Sequence, residues 1–507
     1  MSAISQSPQP KNHGDILRAS VFTGGAQVVT SLASLVRGKF AAVFLGVAGV
    51  GVGGLLTQAL WLIQSFAGLG VGASGVRAIA VARGKGDQIA IRRVYTVVRA
   101  WSWGTGLATV VICCAFSQQL SLLTFDSADH ANDFVFVGMA VLFQQLSNGQ
   151  SALLRGLGKI KELSALNALS AVLGLALTVP CYILLGLRGI APALMLVTSA
   201  NLACTWWYVR RETVPWTGMG VVDILKDGGE LAYVGMAIVG TSVAGSAASY
   251  ITGLMIRSEI GLEGSGFYQA ASGLTIVMVG FVLSAMGQDY YPRLAAVIHK
   301  KDEAAALIRD QTEMALLMGT PILVCVSALA PLLLRLAFSE HFLAAAPAVT
   351  WLALGCLLRI VSWPLGYALL AEGRPMLILS YELAFSALTV LLSYIGLSID
   401  GLNGAAASFA VLYLIYWFAM MRLVRKRVGY LPGRSTLVMV VAASGLVVVA
   451  QWLNLFVGAV TSVITGAFCV RVMLRHLDSS HQIYVLATKL GPIGRVLGVR
   501  PAGSQIL

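Results

Sequence analysis

Arg359 stands inside a long apolar run, in the stretch Leu357-Leu-Arg-Ile-Val-Ser-Trp-Pro364, with a proline five residues on that frees a backbone carbonyl and kinks a helix. A charge at the middle of a bilayer costs at least a few kcal/mol unless it faces water or a partner, so charges inside apolar runs carry most of the functional information. Arg37 and Lys39 lie two apart with apolar sequence on both sides. On a helix that spacing is about 200°, so they cannot share one face. Either one points into a cavity while the other snorkels outward, or both sit at the outer end of a tilted first span. Arg257, Arg77 and Arg99 lie nearer the ends of their runs, where snorkelling is the default. The chemistry such a set can do is to hold an oxyanion in a low-dielectric cavity. The bland alternative for Arg359 is a structural glutamate partner on a neighbouring helix.

Acids inside the runs are fewer. Asp289 precedes Tyr290-Tyr-Pro-Arg293, and Glu382 stands beside Tyr381. Each can carry a proton in coupled transport, and each can equally pair with an arginine. Uncharged polar groups recur as well: Gln144, Asn148 and Ser151 fall at i, i+4 and i+7, with Gln145 beside them, and Gln58, Trp61 and Gln64 form a similar group. Amides and indoles facing a wet cavity suit sugar hydroxyls and ring faces; hydrogen bonding between helices is the alternative. No Walker A loop, HExxH or GxSxG occurs, and no soluble insertion between runs exceeds about twenty residues. ATP hydrolysis, a catalytic role, a cofactor and a metal are therefore not expected. Seven cysteines, each within an apolar run, give neither a disulfide framework nor a metal spacing.

These residues need membrane spans to hold them. Of 507 residues, 57% are hydrophobic and 11% charged, and the mean hydropathy is +0.81, too few polar side chains to cover a soluble globule. The net charge of +13 comes from short basic clusters between apolar runs, which fits the positive-inside rule and not a nucleic-acid surface. Fourteen spans are expected, with twelve as the alternative: 16–44, 50–80, 94–116, 132–155, 163–186, 190–210, 229–256, 265–291, 309–335, 343–370, 376–397, 402–422, 436–454 and 458–475. Loops after even-numbered spans carry the basic residues, for example Arg83, Lys85, Arg92 and Arg93, whereas odd-numbered loops are short or acidic, as with Asp126, Asp129 and Asp133. Both termini are then cytoplasmic. The expected divisions are a cytoplasmic tail 1–15, a six-helix lobe 16–212, a cytoplasmic linker 213–228, a second six-helix lobe 229–427, two further spans 428–475, and a basic tail 476–507.

The two halves show a common pattern. A shift of 215 residues carries the stretch from Gly46 to Asp87 onto Gly261 to Asp302 without a gap, matching eight of 42 positions: Gly46, Gly49, Gly51, Phe66, Gly72, Ala80, Lys85 and Asp87. The shared layout is a glycine-rich turn, an apolar span, and a basic loop ending in Asp. Such halves are the usual trace of a transporter built by duplication.

Val36-Arg-Gly-Lys-Phe-Ala-Ala42, Gly46-Val-Ala-Gly-Val-Gly51, Gly264-Ser-Gly-Phe-Tyr-Gln-Ala-Ala271 and Ala285-Met-Gly-Gln-Asp-Tyr-Tyr-Pro-Arg-Leu294 resemble the Wzx-type polysaccharide flippases of the multidrug/oligosaccharidyl-lipid/polysaccharide exporter superfamily, over about residues 15 to 425. The resemblance implies an all-α membrane protein with a V-shaped, two-lobed bundle in the bacterial inner membrane. Its central cavity would pass an undecaprenyl-pyrophosphate-linked oligosaccharide from the cytoplasmic to the periplasmic leaflet. A polysaccharide polymerase and a chain-length regulator are the protein partners it implies, alongside membrane lipids. By analogy with the family's cationic cavities, Arg37, Lys39, Arg257 and Arg359 become the substrate-facing set, joined by Arg77, Gln144 and Asn148, with Asp289 and Glu382 for coupling. A lipid II flippase and an ion-coupled multidrug exporter are the rival expectations; the excess of arginines argues against cationic drugs.

Overall fold

Apolar runs of this length leave the backbone one way to satisfy its hydrogen bonds in hydrocarbon, which is the helix. The computed structural model describes residues 13–212, 218–452 and 455–476, some by backbone alone, Asp289 among them. Most of both expected tails lies outside the described residues. Those residues form helices and short turns, with no strand among them. In order they are α1 (His13–Ala67), α2 (Val71–Gly84), α3 (Gln88–Ala115), α4 (Ser117–Phe125), α5 (Ala131–Gly156), α6 (Ile160–Leu185), α7 (Ile190–Val209) and α8 (Val221–Val297). There follow α9 (Lys301–Ala328), α10 (Ala330–Ala337), α11 (Ala346–Ala371), α12 (Pro375–Val428), α13 (Arg434–Ala450) and α14 (Leu455–His476).

Three of these helices are interrupted: α1 at Gly46, α8 at Gly261, and α12 at Asp400 and Gly401. Divided there, α1, α8 and α12 each give two segments of crossing length, and α3, α5, α6, α7, α9, α11, α13 and α14 give one each. Each of the fourteen expected spans overlaps one of these segments, and one differs in extent: 50–80 is broken at Gly68–Gly70 into the end of α1 and the separate helix α2. Seven stretches of the described residues are long and apolar enough to cross a membrane by length and composition. Four of them, Gly24–Ala67, Ile160–Val209, Ile238–Ile276 and Met376–Val428, fall on two segments apiece.

The 215-residue shift also relates the backbones. Helix α5 falls on α11 from first residue to last, and the start of α6 falls on Pro375, the first residue of α12. Gly46 has φ 71° and ψ −170°, and Gly261 has φ 82° and ψ −177°, a region open almost to glycine alone. Gly186 (φ 56°, ψ −133°) and Gly401 (φ 49°, ψ −126°) match in the same way. The correspondence breaks after the second span. Leu69 and Gly70 turn left-handed and separate α1 from α2, whereas α8 runs on through the equivalent Leu283–Ala285 region.

The chain packs as two compact units, Met1–Leu254 and Met255–Leu507, divided within α8. In the first unit, the opening stretch of α8 is clasped along its length. Arg93 donates from Nε and from a terminal nitrogen to the Asp227 carboxylate at 2.6 and 2.9 Å, and Trp101 Nε1 donates to the Ile224 carbonyl at 3.0 Å. Gly70 and Gly235 face each other so closely that a Cβ on Gly235 would lie 2.7 Å from Gly70 Cα. Ser65 and Ser246 hydroxyls meet at 3.0 Å further along. The second unit is built on one large buried cluster from the end of α8, α9, α11, the end of α12 and α13, including Tyr290, Leu316, Leu357, Ile360, Trp417 and Val447. Ser327 ties α9 to α13 by donating to the Val447 carbonyl at 2.8 Å.

Candidate functional site

The polar groups that the sequence places on three separate helices come together in the first unit around a cavity of about 810 Å³. Helix α1 contributes Gln58, Trp61 and Gln64; α3 contributes Trp101, Ser102 and Thr105; α5 contributes Gln145, Asn148 and Arg155. Helix α8 closes the wall with Thr241, Ser242, Ser246 and Ser249. The local reasons are simple. Gly149 on α5 leaves room for Ser102, whose Oγ would lie 2.2 Å from an added Cβ, so α3 and α5 approach closely at the cavity floor. Serine and threonine hydroxyls in apolar helices bond back onto their own helix, as Ser102 does to the Val98 carbonyl at 2.8 Å and Thr105 to the Trp101 carbonyl at 2.9 Å. They keep lone pairs for a ligand.

Gln64 is 8% exposed, and its Oε1 has no hydrogen-bond partner; the buried Oε1 of Gln58 has none either. A buried acceptor left unmatched costs about 1–3 kcal/mol. These two carbonyl oxygens call for donors, which a polyhydroxylated ligand supplies and a hydrocarbon does not. Among the lining residues Arg155 is the one ionisable side chain.

Of the residues singled out from the sequence, Asn148, Gln145, Gln58, Trp61 and Gln64 line this cavity. Gln144 does not. Its Nε2 donates to Asn148 Oδ1 at 3.2 Å and its Oε1 accepts from Asn201 Nδ2 at 3.5 Å, so it links α5 to α7 and orients Asn148. Arg77 is exposed and lines a second, open cavity of about 530 Å³ together with Lys85 and the apolar Val81, Val94, Leu231 and Val234. Arg37 and Lys39 are both half-buried, with Arg37 in electrostatic reach of Tyr182 on α6. Neither is among the residues lining the large cavity. Arg99 is exposed.

Sequence reasoning missed Arg155, Trp101 and the hydroxyls of α8. The signal was present: Arg155 extends the Gln144, Asn148, Ser151 progression by one more turn, and Ser242, Ser246 and Ser249 repeat the same i, i+4, i+7 spacing.

The second unit gathers charges instead. Arg359 is half-buried on α11, with its guanidinium carbon 5.8 Å from the centroid of the Tyr413 ring on α12, a cation–π contact. Glu382, half-buried on the first segment of α12, lies in electrostatic reach of Arg359. Rings surround the two: Phe385 meets Tyr416 edge-on at 4.5 Å, and Phe409 meets Tyr413 at 4.9 Å. Helix α11 continues through Pro364. The carbonyl of Pro364 accepts from Tyr290 Oη at 3.0 Å, so the first tyrosine of the Tyr290-Tyr-Pro-Arg293 stretch pins α8 to α11. Arg257 is half-buried on α8, four residues before the Gly261 break. The side chain of Asp289 lies outside the described residues.

The described residues thus form a helical protein with a cavity of mixed polar and apolar lining in the first unit and an acid beside a base in the second. Over 417 residues the chain is 21% identical to the Lipid III flippase of Escherichia coli (strain K12), covering 79% of this chain and 96% of that protein. Its fold superposes on the lipid II flippase MurJ in an inward closed conformation with a TM-score of 0.70, 12% identity, and coverage of 90% of this chain and 99% of that one. It also superposes on a multidrug resistance MATE family transporter of the MOP superfamily in an inward-facing conformation, with a TM-score of 0.67, 17% identity, and coverage of 79% and 94%. These likenesses show the fold, that of multi-pass membrane transporters. The family model described as polysaccharide biosynthesis protein matches residues 44–347, more than half the length, and the chain belongs to that family.

Proposed function

We propose that this protein is a flippase that carries a lipid-linked oligosaccharide, attached through undecaprenyl pyrophosphate, from the cytoplasmic to the periplasmic leaflet for surface polysaccharide assembly. The observation that carries the reading is the cavity of about 810 Å³ in the first unit, whose wall includes amides, indoles and hydroxyls. Unmatched acceptors at Gln58 and Gln64 suit sugar hydroxyls, and two indoles suit the apolar faces of sugar rings. No carboxylate lines it, which disfavours a cationic drug as cargo. The likeness to lipid-carrier flippases and the family match support the same direction.

In this reading the two six-helix lobes, 16–212 and 229–427, arose by duplication and work by alternating access in the bacterial inner membrane, with both termini in the cytoplasm. The polyprenyl tail stays in lipid while the glycan crosses. Arg37, Lys39, Arg77, Arg257 and Arg359 attract the pyrophosphate, and Glu382 or Asp289 couples the cycle to an ion. A polymerase and a chain-length regulator act on the delivered substrate.

The test is complementation of bacterial strains that lack an O-antigen, an enterobacterial common antigen, or a lipid II flippase. Restoration of surface glycan in one of the first two backgrounds, lost on Gln64→Leu at matched expression, is the expected result. Rescue of only the lipid II strain would shift the substrate to the peptidoglycan precursor. Failure in all three, with protection against cationic dyes, would overturn the reading.

A further inference from the structure

The smaller cavity of the first unit, about 530 Å³, is a groove along α2. Ser74, Ala78, Val81 and Lys85 follow one another at i, i+4, i+7 and i+11, with Arg77 beside Ala78. Val94 from α3 and Leu231 and Val234 from the opening stretch of α8 supply further apolar lining. Val81 and Val234 are 52% and 57% exposed, so the apolar part is open to the surroundings. Several cations at other helix ends are matched: Arg93 with Asp227, Lys159 with Glu212, and Arg427 with Glu372. The 215-residue shift carries Lys85 onto Lys300, whose Nζ meets Glu303 at 3.0 Å, but the position answering Glu303 is Gln88. Among the described residues neither Arg77 nor Lys85 forms an ion pair. The groove's carboxylate, Asp87, is taken up in capping α3, where it accepts from the Ala90 N–H at 2.9 Å. Ser74 is 6% exposed and its Oγ has no hydrogen-bond partner, although the hydroxyls of Ser102 and Ser164 bond back onto their own helices.

Three unmet demands therefore lie in order along α2. Two cations call for an oxyanion at its end, a hydroxyl calls for an acceptor further in, and exposed valines call for hydrocarbon. Lys85 and Arg77 are separated by about 12 Å of helix, and Arg77 and Ser74 by about 4.5 Å, so the two long side chains can converge on one group above Val81. A glycerophospholipid presents phosphate, ester carbonyl and acyl chain in that sequence. We infer that this groove is a site for an anionic phospholipid of the leaflet beside the Lys85–Asp87 turn. Its phosphodiester lies between Lys85 and Arg77, an ester carbonyl accepts from the Ser74 hydroxyl, and one acyl chain runs against Val81, Val94, Leu231 and Val234. A zwitterionic headgroup would bring an ammonium to two cations, and a free phosphate would leave the valines uncovered. The site goes beyond the flippase reading, because its occupant belongs to the bilayer and is not cargo. Placed against both α2 and α8, the lipid adds to the clasp that Arg93 and Trp101 make on α8.

The test uses the full-length protein in non-ionic detergent, with bound lipid counted by native mass spectrometry during titration with phosphatidylglycerol, phosphatidylcholine, glycerol 3-phosphate or farnesyl pyrophosphate. Wild type is expected to bind phosphatidylglycerol about tenfold or more tighter than phosphatidylcholine. Arg77→Gln/Lys85→Gln should abolish that preference. Val234→Trp, which fills the apolar part and changes no charge, should weaken binding of phosphatidylglycerol. Arg210→Gln/Arg211→Gln removes the same charge from the exposed end of α7 and should leave the preference intact. A loss as large in that control as in the groove variant would mean general attraction to an anionic leaflet and would overturn the inference. Glycerol 3-phosphate binding as tightly as phosphatidylglycerol would overturn it too, since the chain would then contribute nothing. Farnesyl pyrophosphate binding more tightly than phosphatidylglycerol, and losing that binding in the groove variant, would give Arg77 to the cargo's carrier and refute a resident phospholipid. None of these results bears on whether the protein restores surface glycan, so the flippase reading stands or falls separately. Thermal unfolding of each lipid-free variant, expected to match wild type because every replaced residue is exposed, keeps loss of binding apart from misfolding.

Discussion

Arg359 has two explanations that predict the same single-mutant phenotype, and the structure shows how to part them. Its guanidinium packs over the Tyr413 ring, and Glu382 lies in its electrostatic reach. Replacing it by alanine removes a cation–π contact of about 0.5–2 kcal/mol and leaves a half-buried carboxylate without its cation. Because both groups are half-buried and not sealed, the total should fall near the low end of the range for broken buried pairs, about 2–3 kcal/mol. A thiol-reactive fluorophore reads this directly, since Cys356 stands one turn from Arg359 and is fully buried in the native state. Arg359→Ala should unfold at a lower temperature in that assay. Arg359→Ala/Glu382→Gln should recover most of the loss, because no carboxylate then lacks its cation, and the recovered amount is the coupling energy of the pair. Transport decides the role. If Arg359 holds the substrate anion, the double variant is stable yet fails to restore surface glycan. If it only balances Glu382, the double variant regains transport, and that result would refute its place in the substrate path. A single variant as stable as wild type would refute the energetic argument itself.

Other variants probe other parts of the structure. An alanine at Gly245 meets nothing within 4 Å and should stabilise α8 by about 0.5–1 kcal/mol, whereas Gly245→Phe at the same cavity wall should leave the unfolding temperature near wild type and block glycan transport. A Cβ on Gly404 would lie 1.8 Å from the Gly396 carbonyl oxygen, so Gly404→Ala should lose about 3 kcal/mol or fail to accumulate in the membrane. The hydrogen bond from Arg93 holds the Asp227 carboxyl below the usual range. The stability it contributes is then present above about pH 4 and lost as pH falls through the depressed value, and Asp227→Asn should remove this acid-dependent step from a series of unfolding curves.

The spans were legible because bilayer thickness sets a length that each apolar run either meets or does not, and every run between Val71 and Val428 has its helix. Interruptions inside runs were less so. The sequence placed a glycine-rich turn at Gly46 and Gly261, yet only backbone angles show that both glycines adopt the same left-handed extended conformation. The break at Gly70 has no counterpart in α8 because Ala285, at the shifted position, carries a Cβ that disfavours it. In the candidate site the mid-span charges and the polar stripes fall in different places. The large cavity is lined by the stripes of α1, α3, α5 and α8, and its one charge, Arg155, comes from a helix end, where snorkelling is the default expectation. Period alone cannot tell Gln144, which bonds to Asn201 on α7, from Asn148, which faces the cavity four residues on.

That distribution of charge separates the rival cargoes better than the count of arginines does. An exporter of cations needs a carboxylate where the cargo rests, none lines the cavity of the first unit, and five of the described acids are engaged elsewhere. Asp227 holds Arg93, Glu212 holds Lys159, Glu372 holds Arg427, Glu313 accepts from Ser435 and Thr436, and Glu382 sits by Arg359. The first unit's cavity carries several hydrogen-bonding groups and a single charge, which fits the saccharide portion of the cargo proposed above. Tight ion pairs there would slow release, whereas a set of weak bonds to hydroxyls, each exchangeable with water, lets a bulky polar cargo pass without a deep well. The second unit holds a half-buried acid beside a base, the combination able to change its charge state during a cycle. The proposed flippase needs both properties, and the residues that would supply them lie on different helices.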